Sequence, residues 1–305
     1  MRLPAMQFNV ARSGMLKTLR CFQSPPYHRF NVNVMRKSTA PLGQSECVCD
    51  SEDLVMFHFK RKIDSTQDEA KRLLHEMGSQ ETRLLAISAE EQENGRGTSG
   101  RSWIGLKGNM FLTCAVPSIQ ISPSEITLLP LGVGVVIAES LSKLSNERPF
   151  LKWPNDVLIN DRKIAGTLIE NHLIHEREWL IVGIGVNIES CPQQLLREAT
   201  DSLHTSPREA TCLRNHANHF GRAIQPVQLG EMLVSSLNRW IYKNELPFKS
   251  SPSIVSSWQY WSKMGKYTIR ETGEEVTALG VEEDGRLRVQ GQDGAERLLS
   301  SDYFS

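Results

Sequence analysis

The stretch Lys152-Trp153-Pro154-Asn155-Asp156, followed by Arg162-Lys163-Ile164-Ala165-Gly166, restricts the local fold more than any other part of the chain. Pro154 has no backbone N–H and disfavours helix at the residue before it. Lys152 and Trp153 are therefore expected to end a strand, with Asn155 and Asp156 in a turn. Val157, Leu158 and Ile159 form an apolar run, Asn160-Asp161 supplies turn chemistry, and Lys163 to Ile169 resumes a strand-like pattern. The pattern predicts a hairpin that gathers two lysines, an indole, an amide and a carboxylate. A hairpin with no other task has little reason to collect those groups.

With 305 residues the chain has room for one large domain and a small one. Its apolar content of 39% and charged content of 23% fit a soluble globular protein. No run approaches the roughly 18 apolar residues of a membrane span, which argues against a membrane protein. The formal charge of zero hides an asymmetry. Residues 1–45 hold seven basic residues (Arg2, Arg12, Lys17, Arg20, Arg29, Arg36, Lys37) and no acid, leaving 28 basic against 35 acidic residues in the remainder. A basic segment with scattered Leu, Val, Phe and Met but no apolar block reads as an organelle transit peptide, with a disordered basic tail as the alternative. Modest Ser and Thr enrichment favours mitochondrion over plastid; a cytoplasmic form stays open. The acidic remainder argues against nucleic-acid binding, which needs a basic face. Six cysteines show no C-x-x-C pair and read as reduced thiols. His172-x-x-His175 and His216-x-x-His219 have helical spacing but no matched cysteines, so they read as surface polar residues rather than metal ligands.

The fold is expected to begin near Leu54, after a transit or disordered segment at 1–50. Val55, Phe57 and Phe59 alternate with polar residues as in a strand. Ser65 with Asp68, or Thr66 with Glu69, has the spacing of a helix N-cap ahead of Ala70, Leu73 and Leu74. Leu84 to Ser88 reads as a strand feeding a polar loop from Glu90 to Gly108, and Met110 to Val116 as a buried strand. Ser124 is expected to cap a long buried helix from about Glu125 to Leu144. After the hairpin, Trp179 to Ile188 reads as a strand whose Gly183 and Gly185 mark a close approach of ligand or backbone. Residues 189–225 show no pattern, and Leu229 to Tyr242 is an amphipathic helix. From about Trp258 short β runs with Gly-containing turns predict a small β-barrel, giving domains at 54–250 and 258–305.

Three stretches carry candidate chemistry. The segment from Gln92 to Trp103 holds Gly95, Gly97, Gly100, Arg96 and Arg101. Glycines let N–H groups turn towards an anion and arginine adds bidentate contacts, although a solvated connection uses the same residues. Ser65, Thr66 and Gln67 suit a ligand site and equally suit a helix cap. Lys163 stands near polar groups able to hold a nucleotide and its metal, yet a lysine after a turn is ordinarily a surface residue. Gly183-x-Gly185-x-Asn187 lacks the following helix of a dinucleotide fingerprint.

Taken in order, D-S-T-Q, Q-x-x-G-R-G-x-x-G-R-x-W, K-W-P-N-D, R-K-I-A-G and G-I-G-V-N resemble the successive signatures of the biotin–protein ligases, also called holocarboxylase synthetases. The resemblance runs from about residue 54 to 190 and more loosely through the terminal β region. It implies an α+β fold, a mixed β-sheet catalytic domain packed with helices, plus a small C-terminal SH3-like barrel. It also implies a two-step acyl transfer: ATP and biotin give biotinyl-5′-AMP, and a lysine of a biotin carboxyl carrier domain then takes the biotin. Lys163 and Arg101 would be catalytic. Ser65, Thr66, Gln67 and Gln92 would bind biotin, with Gly95, Arg96, Gly97 and Thr98 folding over it beside Lys163. Lys152, Trp153, Asn155, Asp156, Trp103, Gly183, Gly185 and Asn187 would form the ATP and adenylate side, and Asp156 would help to hold Mg²⁺. A homodimer is compatible with the resemblance, as is a monomer. Only about 50 residues precede the catalytic region, without a helix-turn-helix pattern, so no DNA-binding role is expected. The alternatives are a lipoate–protein ligase or octanoyltransferase, and a non-catalytic biotin sensor.

The chain departs from this family at Thr98, where many members carry another arginine. Loss of that cation implies looser retention of the adenylate. Thr98→Arg is expected to slow adenylate release several-fold, on the order of one charge-assisted contact, measured by trapping free biotinyl-5′-AMP; unchanged release together with an unchanged first-step rate sinks the idea.

Overall fold

The computed structural model describes residues 46–49, 55–77, 81–192, 209–243, 253–269 and 272–300. The charge-rich segment at 1–45 lies outside the described residues. A short strand, β1 (Glu46–Cys49), pairs antiparallel with β2 (Val55–Ile63), so regular structure starts earlier than the expected Leu54.

β2 and β3 (Leu84–Arg96) are parallel neighbours joined across α1 (Thr66–Glu76), because parallel strands need a crossover. Ser65 is the N-cap of α1, its hydroxyl accepting from Asp68 N at 3.4 Å. β3 then pairs antiparallel with both β4 (Ser102–Gly105) and β5 (Met110–Pro117). The polar loop expected over 90–108 is thus largely a hairpin. Its polar residues sit on a strand end that leaves the body of the sheet, where no apolar alternation is required.

β6 (Phe150–Lys152), β7 (Asp156–Ile159), β8 (Arg162–Ile174) and β9 (Arg177–Val186) form the other half of a nine-stranded mixed sheet. Its order is β1-β2-β3-β5-β9-β8-β7-β6, with β4 pairing β3 off this path. The halves join where β5 pairs β9. The hairpin read from the sequence is present, with Asn155 in the turn and Asp156 opening β7. Asn160 and Asp161 turn β7 into β8 at φ 49° and 59°, and His175 and Glu176 turn β8 into β9 at φ 50° and 60°. Both pairs show the left-handed φ values that tight hairpin turns use. His172 and His175 therefore lie on a strand and a turn, not on a helix.

α1 covers one face of the sheet over a small cluster with Ala70, Leu74, Leu85, Ile87, Ala115 and Ile181. The opposite face holds the main core, with α3 (Leu129–Ser142) packed against α5 (Pro226–Lys243) and α6 (Ile254–Trp261). One long helix over 125–144 was expected; two are present. α2 (Pro123–Ile126) stops and α3 restarts with Pro130 in its first turn. Proline lacks the N–H to continue the ladder and its ring crowds the carbonyl four residues back. The N-cap position of α2 belongs to Ser122 rather than the expected Ser124. α3 is apolar all round and buried at nearly every position.

α4 (His219–Ala223) precedes α5, and α6 replaces the β texture expected from Trp258 onward. Its Ser253 cap accepts from Ser256 N at 3.2 Å. Beyond it, β10 (Lys266–Thr268), β11 (Glu275–Val281), β12 (Leu287–Gln290) and β13 (Glu296–Leu299) form a separate antiparallel sheet in that order, consistent with a small SH3-like unit. Among the described residues no helix is long and apolar enough to cross a membrane.

The α3–α5 packing leaves no room at Gly132, where an added Cβ would stand 2.2 Å from Cη2 of Trp240. Gly132→Ala is expected to destabilise the fold by about 1–3 kcal/mol, the usual cost of overpacking a core. A melting temperature equal to wild type would show that Trp240 can move aside freely.

Candidate functional site

On the face covered by α1, the middle strands carry almost no side chains over a short distance. Gly166 of β8 pairs directly with Gly185 of β9, and Gly183 follows two residues before on the same face. Backbone is therefore exposed as a floor. Gln67 and Trp103 rest on it: an added Cβ would stand 3.0 Å from Gln67 Cδ at Gly183 and 2.5 Å from Trp103 Cε2 at Gly185. A cavity of about 230 Å³ opens here. From Gly183 through Gly185 to Asn187 it follows β9 for about 13 Å, at roughly 3.3 Å per strand residue.

One end is a compact polar cluster. Ser65, Thr66 and Gln67 are buried at the start of α1. Thr113 Oγ1 donates to Thr66 Oγ1 at 2.9 Å, and Thr66 gives both its N–H (2.9 Å) and its hydroxyl (3.1 Å) to Gln92 Oε1. This chain of bonds fixes the Gln92 amide and leaves its nitrogen free of that cluster. The Gln67 amide nitrogen is committed to Leu168 O at 3.1 Å, so only its oxygen is available. The serine–threonine–glutamine trio is thus both a helix start and a cavity wall.

The wall above the floor is the β3–β4 hairpin. Arg96 reaches back to Asp68 at 2.8 Å and Glu170 at 3.2 Å, fastening the hairpin to α1 and β8. Arg101 donates to Thr98 Oγ1 at 2.8 Å and Thr98 O at 3.1 Å. Arg96, Gly97, Thr98 and Arg101 line the cavity beside Trp103. The Trp103 indole N–H is buried with no partner among the described residues, as is Thr167 Oγ1. A buried polar group left unpaired is costly, which makes the Trp103 indole N–H a natural contact for a ligand, whereas Thr167 alternates with Gly166 and faces the main core.

At the other end Lys163 projects between Asp156 and Trp103. Its Nζ lies 2.5 Å from Asp156 Oδ1 and 5.4 Å from the indole centroid. Its backbone is clamped by Glu209 O (3.0 Å) and Thr211 N (2.9 Å). Asn155 and Asn187 line the cavity nearby, their amides donating to Thr167 O at 2.8 Å and Thr211 O at 3.1 Å. A slot with neutral hydrogen-bonding groups at one end and a cation at the other suits a ligand with a polar head and an anionic tail.

Four of the residues expected in the site do not line the cavity. Gly95 instead lets β3 and β4 close: its Cβ would stand 2.3 Å from Trp103 O. Asp156 is held behind Lys163. Trp153 faces the C-terminal sheet, giving its indole N–H to Gly285 O at 3.0 Å and its backbone N–H to Tyr267 Oη at 3.2 Å. Lys152 Nζ lies 4.8 Å from the Tyr267 ring centroid. An indole with one N–H is readily satisfied by a neighbouring carbonyl, and the strand end points that way. Conversely Ile104, Phe111, Leu168, Ile184, Pro192 and Ala210 line the cavity and were missed. Ile104, Phe111, Leu168 and Ile184 are apolar residues with no local signal beyond their place in strands, and Pro192 and Ala210 lie outside the named strands.

His216, read as a surface residue, is buried and its Nε2 lies 2.8 Å from Thr211 Oγ1; burial lowers its pKa. Among the described residues no group of three His, Cys, Asp or Glu side chains is placed to hold a metal ion.

Residues 59–187 match the Biotin/lipoate A/B protein ligase family. The chain is 33% identical over 188 residues to the bifunctional ligase/repressor BirA of Escherichia coli K12, covering 58% of this chain and 56% of that protein. It thus spans about half the length of that relative. It is 26% identical over 255 residues to the biotin–[acetyl-CoA-carboxylase] ligase of Paracoccus denitrificans, covering 80% of this chain and 98% of that protein. Among solved structures it is similar to the biotin protein ligase of Leishmania major in complex with biotinyl-5-AMP. That match has a TM-score of 0.56 and 27% identity, and covers 83% of this chain and 100% of the other.

Gly185→Ala is expected to lift the indole of Trp103 from the floor and change the tryptophan emission spectrum, at a cost of about 1–3 kcal/mol. The same change made in a Trp103→Phe background should leave emission unaltered. An identical spectrum for wild type and Gly185→Ala would contradict the packing described.

Proposed function

We propose that this chain, whose residues 59–187 match the Biotin/lipoate A/B protein ligase family and which is similar to biotin–protein ligases over most of its length, activates biotin with ATP and transfers the biotinyl group to a lysine of a carboxylase carrier domain. In the first step a biotin carboxylate oxygen attacks the α-phosphorus of ATP; biotinyl-5′-AMP forms and pyrophosphate leaves. In the second, the acceptor amine attacks the acyl carbon and AMP leaves with the bonding pair. The observation that carries this reading is the position of Lys163, a cation at the far end of a glycine-floored slot from the Thr66–Gln92 cluster.

Thr66, Gln92 and Ser65 supply the donors and acceptors that a neutral ureido ring requires, and Phe111 with Leu168 offers an apolar wall to the rest of the ligand. The carboxylate then points towards Lys163. Bringing it to a phosphate sets two anions together, which needs fixed positive charge in a site shielded from water. Lys163 meets that need by exchanging Asp156 for the reacting oxygens. Arg101 does so by exchanging Thr98 for phosphate. Trp103, Asn155 and Asn187, with Gly183 and Gly185 beneath, are assigned to the nucleotide side. Lys152 and Trp153 act indirectly, through the turn that carries Asn155 and Asp156.

Magnesium is proposed as the companion of ATP. Mg²⁺ takes few protein ligands beside phosphate oxygens and water, and Asp156 is the carboxylate beside Lys163. The basic segment at 1–45 supports a mitochondrial address, tested by the mass of the mature N-terminus.

The test is incubation of the purified chain with ATP, Mg²⁺, a biotin carrier domain and either biotin or lipoate. Labelling with biotin alone is expected; labelling with lipoate alone would replace the proposal by a lipoate ligase, and none at all by a sensor. Lys163→Ala should retain the wild-type melting temperature yet lower the rate of adenylate formation by at least about a hundredfold, as for loss of a preorganised charge. Adenylate formation at the wild-type rate would remove Lys163 from the chemistry.

A further inference from the structure

Two of the cysteines meet beside the cation end of the slot. Cys191 follows β9, and Cys212 lies on the segment that clamps Lys163. Their contacts are reciprocal: the Cys191 thiol donates to Ala210 O and the Cys212 thiol to Glu189 O, each at 3.5 Å. The backbones are bonded together on the same stretch, Leu213 N to Asn187 O and Arg214 N to Ile188 O, both at 2.9 Å. Each thiol is thus seated against the residue two before the other cysteine. The two sulfurs are also near enough to interact directly, and that contact, after burial, raises the Cys191 pKa. Both are free thiols here, Cys191 partly exposed and Cys212 buried.

We propose that Cys191 and Cys212 form a reversible disulfide that regulates the nucleotide end of the site; the regulatory part rests on the ligase reading above. Hydrogen peroxide is the oxidant class. The more accessible Cys191 attacks one peroxide oxygen to give a sulfenic acid and water. The Cys212 sulfur then displaces the second water, so two thiols lose two electrons and two protons and one S–S bond forms. A low-molecular-weight disulfide does the same by exchange, leaving as two thiols.

The consequence for the site follows from Thr211. It stands between Ala210, which lines the cavity, and Cys212. Its N–H donates to Lys163 O at 2.9 Å, and its carbonyl accepts from Asn187 Nδ2 at 3.1 Å. Shortening the sulfur–sulfur contact to a covalent bond draws Cys212 towards Cys191 and displaces both bonds. Cys114 is an internal reference, because it is fully buried in the sheet and its thiol is pushed up to about 12 by burial.

The full chain, reduced and then treated with peroxide or glutathione disulfide, is to be digested and mapped, with ATP kinetics measured in parallel. A linked Cys191–Cys212 peptide that dithiothreitol removes is expected, with Cys114 unmodified. The KM for ATP should rise about fivefold, the effect of one lost hydrogen bond, while Cys191→Ser, melting as wild type with unchanged basal activity, shows no rise. A lone adduct on Cys191 with Cys212 still free, or a linked peptide with unaltered KM, would overturn the proposal. If the reduced chain makes no adenylate but the linked peptide still forms, the ligase reading fails and the cross-link stands.

Discussion

A strip of sheet without side chains is the constraint on which the rest of the site depends. Gly166, Gly183 and Gly185 are interior residues of long strands, where glycine costs conformational entropy and contributes no packing. The strands tolerate it because their other face is filled: Ala165, Ile169, Val182, Ile184 and Val186 alternate with the glycines and enter the main core. One side of β8 and β9 holds the strands in place while the other gives up its side chains. Gln67 and Trp103 can then lie directly on backbone, and Lys163 can reach across Gly166.

That arrangement also explains why the polar residues are where they are. A floor of backbone offers apolar contact and little recognition, so specificity must come from the rim. The start of α1 provides it at one end, through hydroxyls and amides already locked by mutual hydrogen bonds. The β3–β4 hairpin and the 209–212 segment provide it elsewhere. The hairpin is tied by ion pairs on partly exposed side chains, which are worth little individually. Lys163 is held more firmly, by its backbone on both sides.

Much of this was legible in the chain. Alternation located β2, near-continuous apolar runs located β5 and β9, the Asn160-Asp161 pair located a turn, and Ser65 located the start of α1. The apolar run that forms α3 is visible in the chain, and Pro130 carries the reason for the break before it. Residues 90–96 looked like loop because a strand that leaves the sheet body has no apolar face to display. His175 and Glu176 are poor turn markers and adopt left-handed angles only because the long β8–β9 ladder imposes them. α6 is short, and its Trp258 and Trp261 look as suitable for a strand as for a helix. Within the site, the motifs mix residues that line the cavity with residues that do not. Separating Lys163 from Lys152, or Trp103 from Trp153, required knowing which way a strand end faces, and spacing does not carry that.

The join between β5 and β9 has a kinetic side. Residues 110–117 and 177–186 pair across the whole of α2, α3 and the hairpins between them. The slot lies over this seam, with Thr66, Gln92 and Trp103 contributed from one half and Lys163, Gly183 and Gly185 from the other. Neither half can assemble it alone, and closing so large a loop is slow. Any ligand that fills the slot binds only the completed native state and stabilises it by mass action. Small-molecule supply would then raise the folded fraction as well as feed turnover, and scarcity would leave a larger share of the chain open to proteolysis at equilibrium.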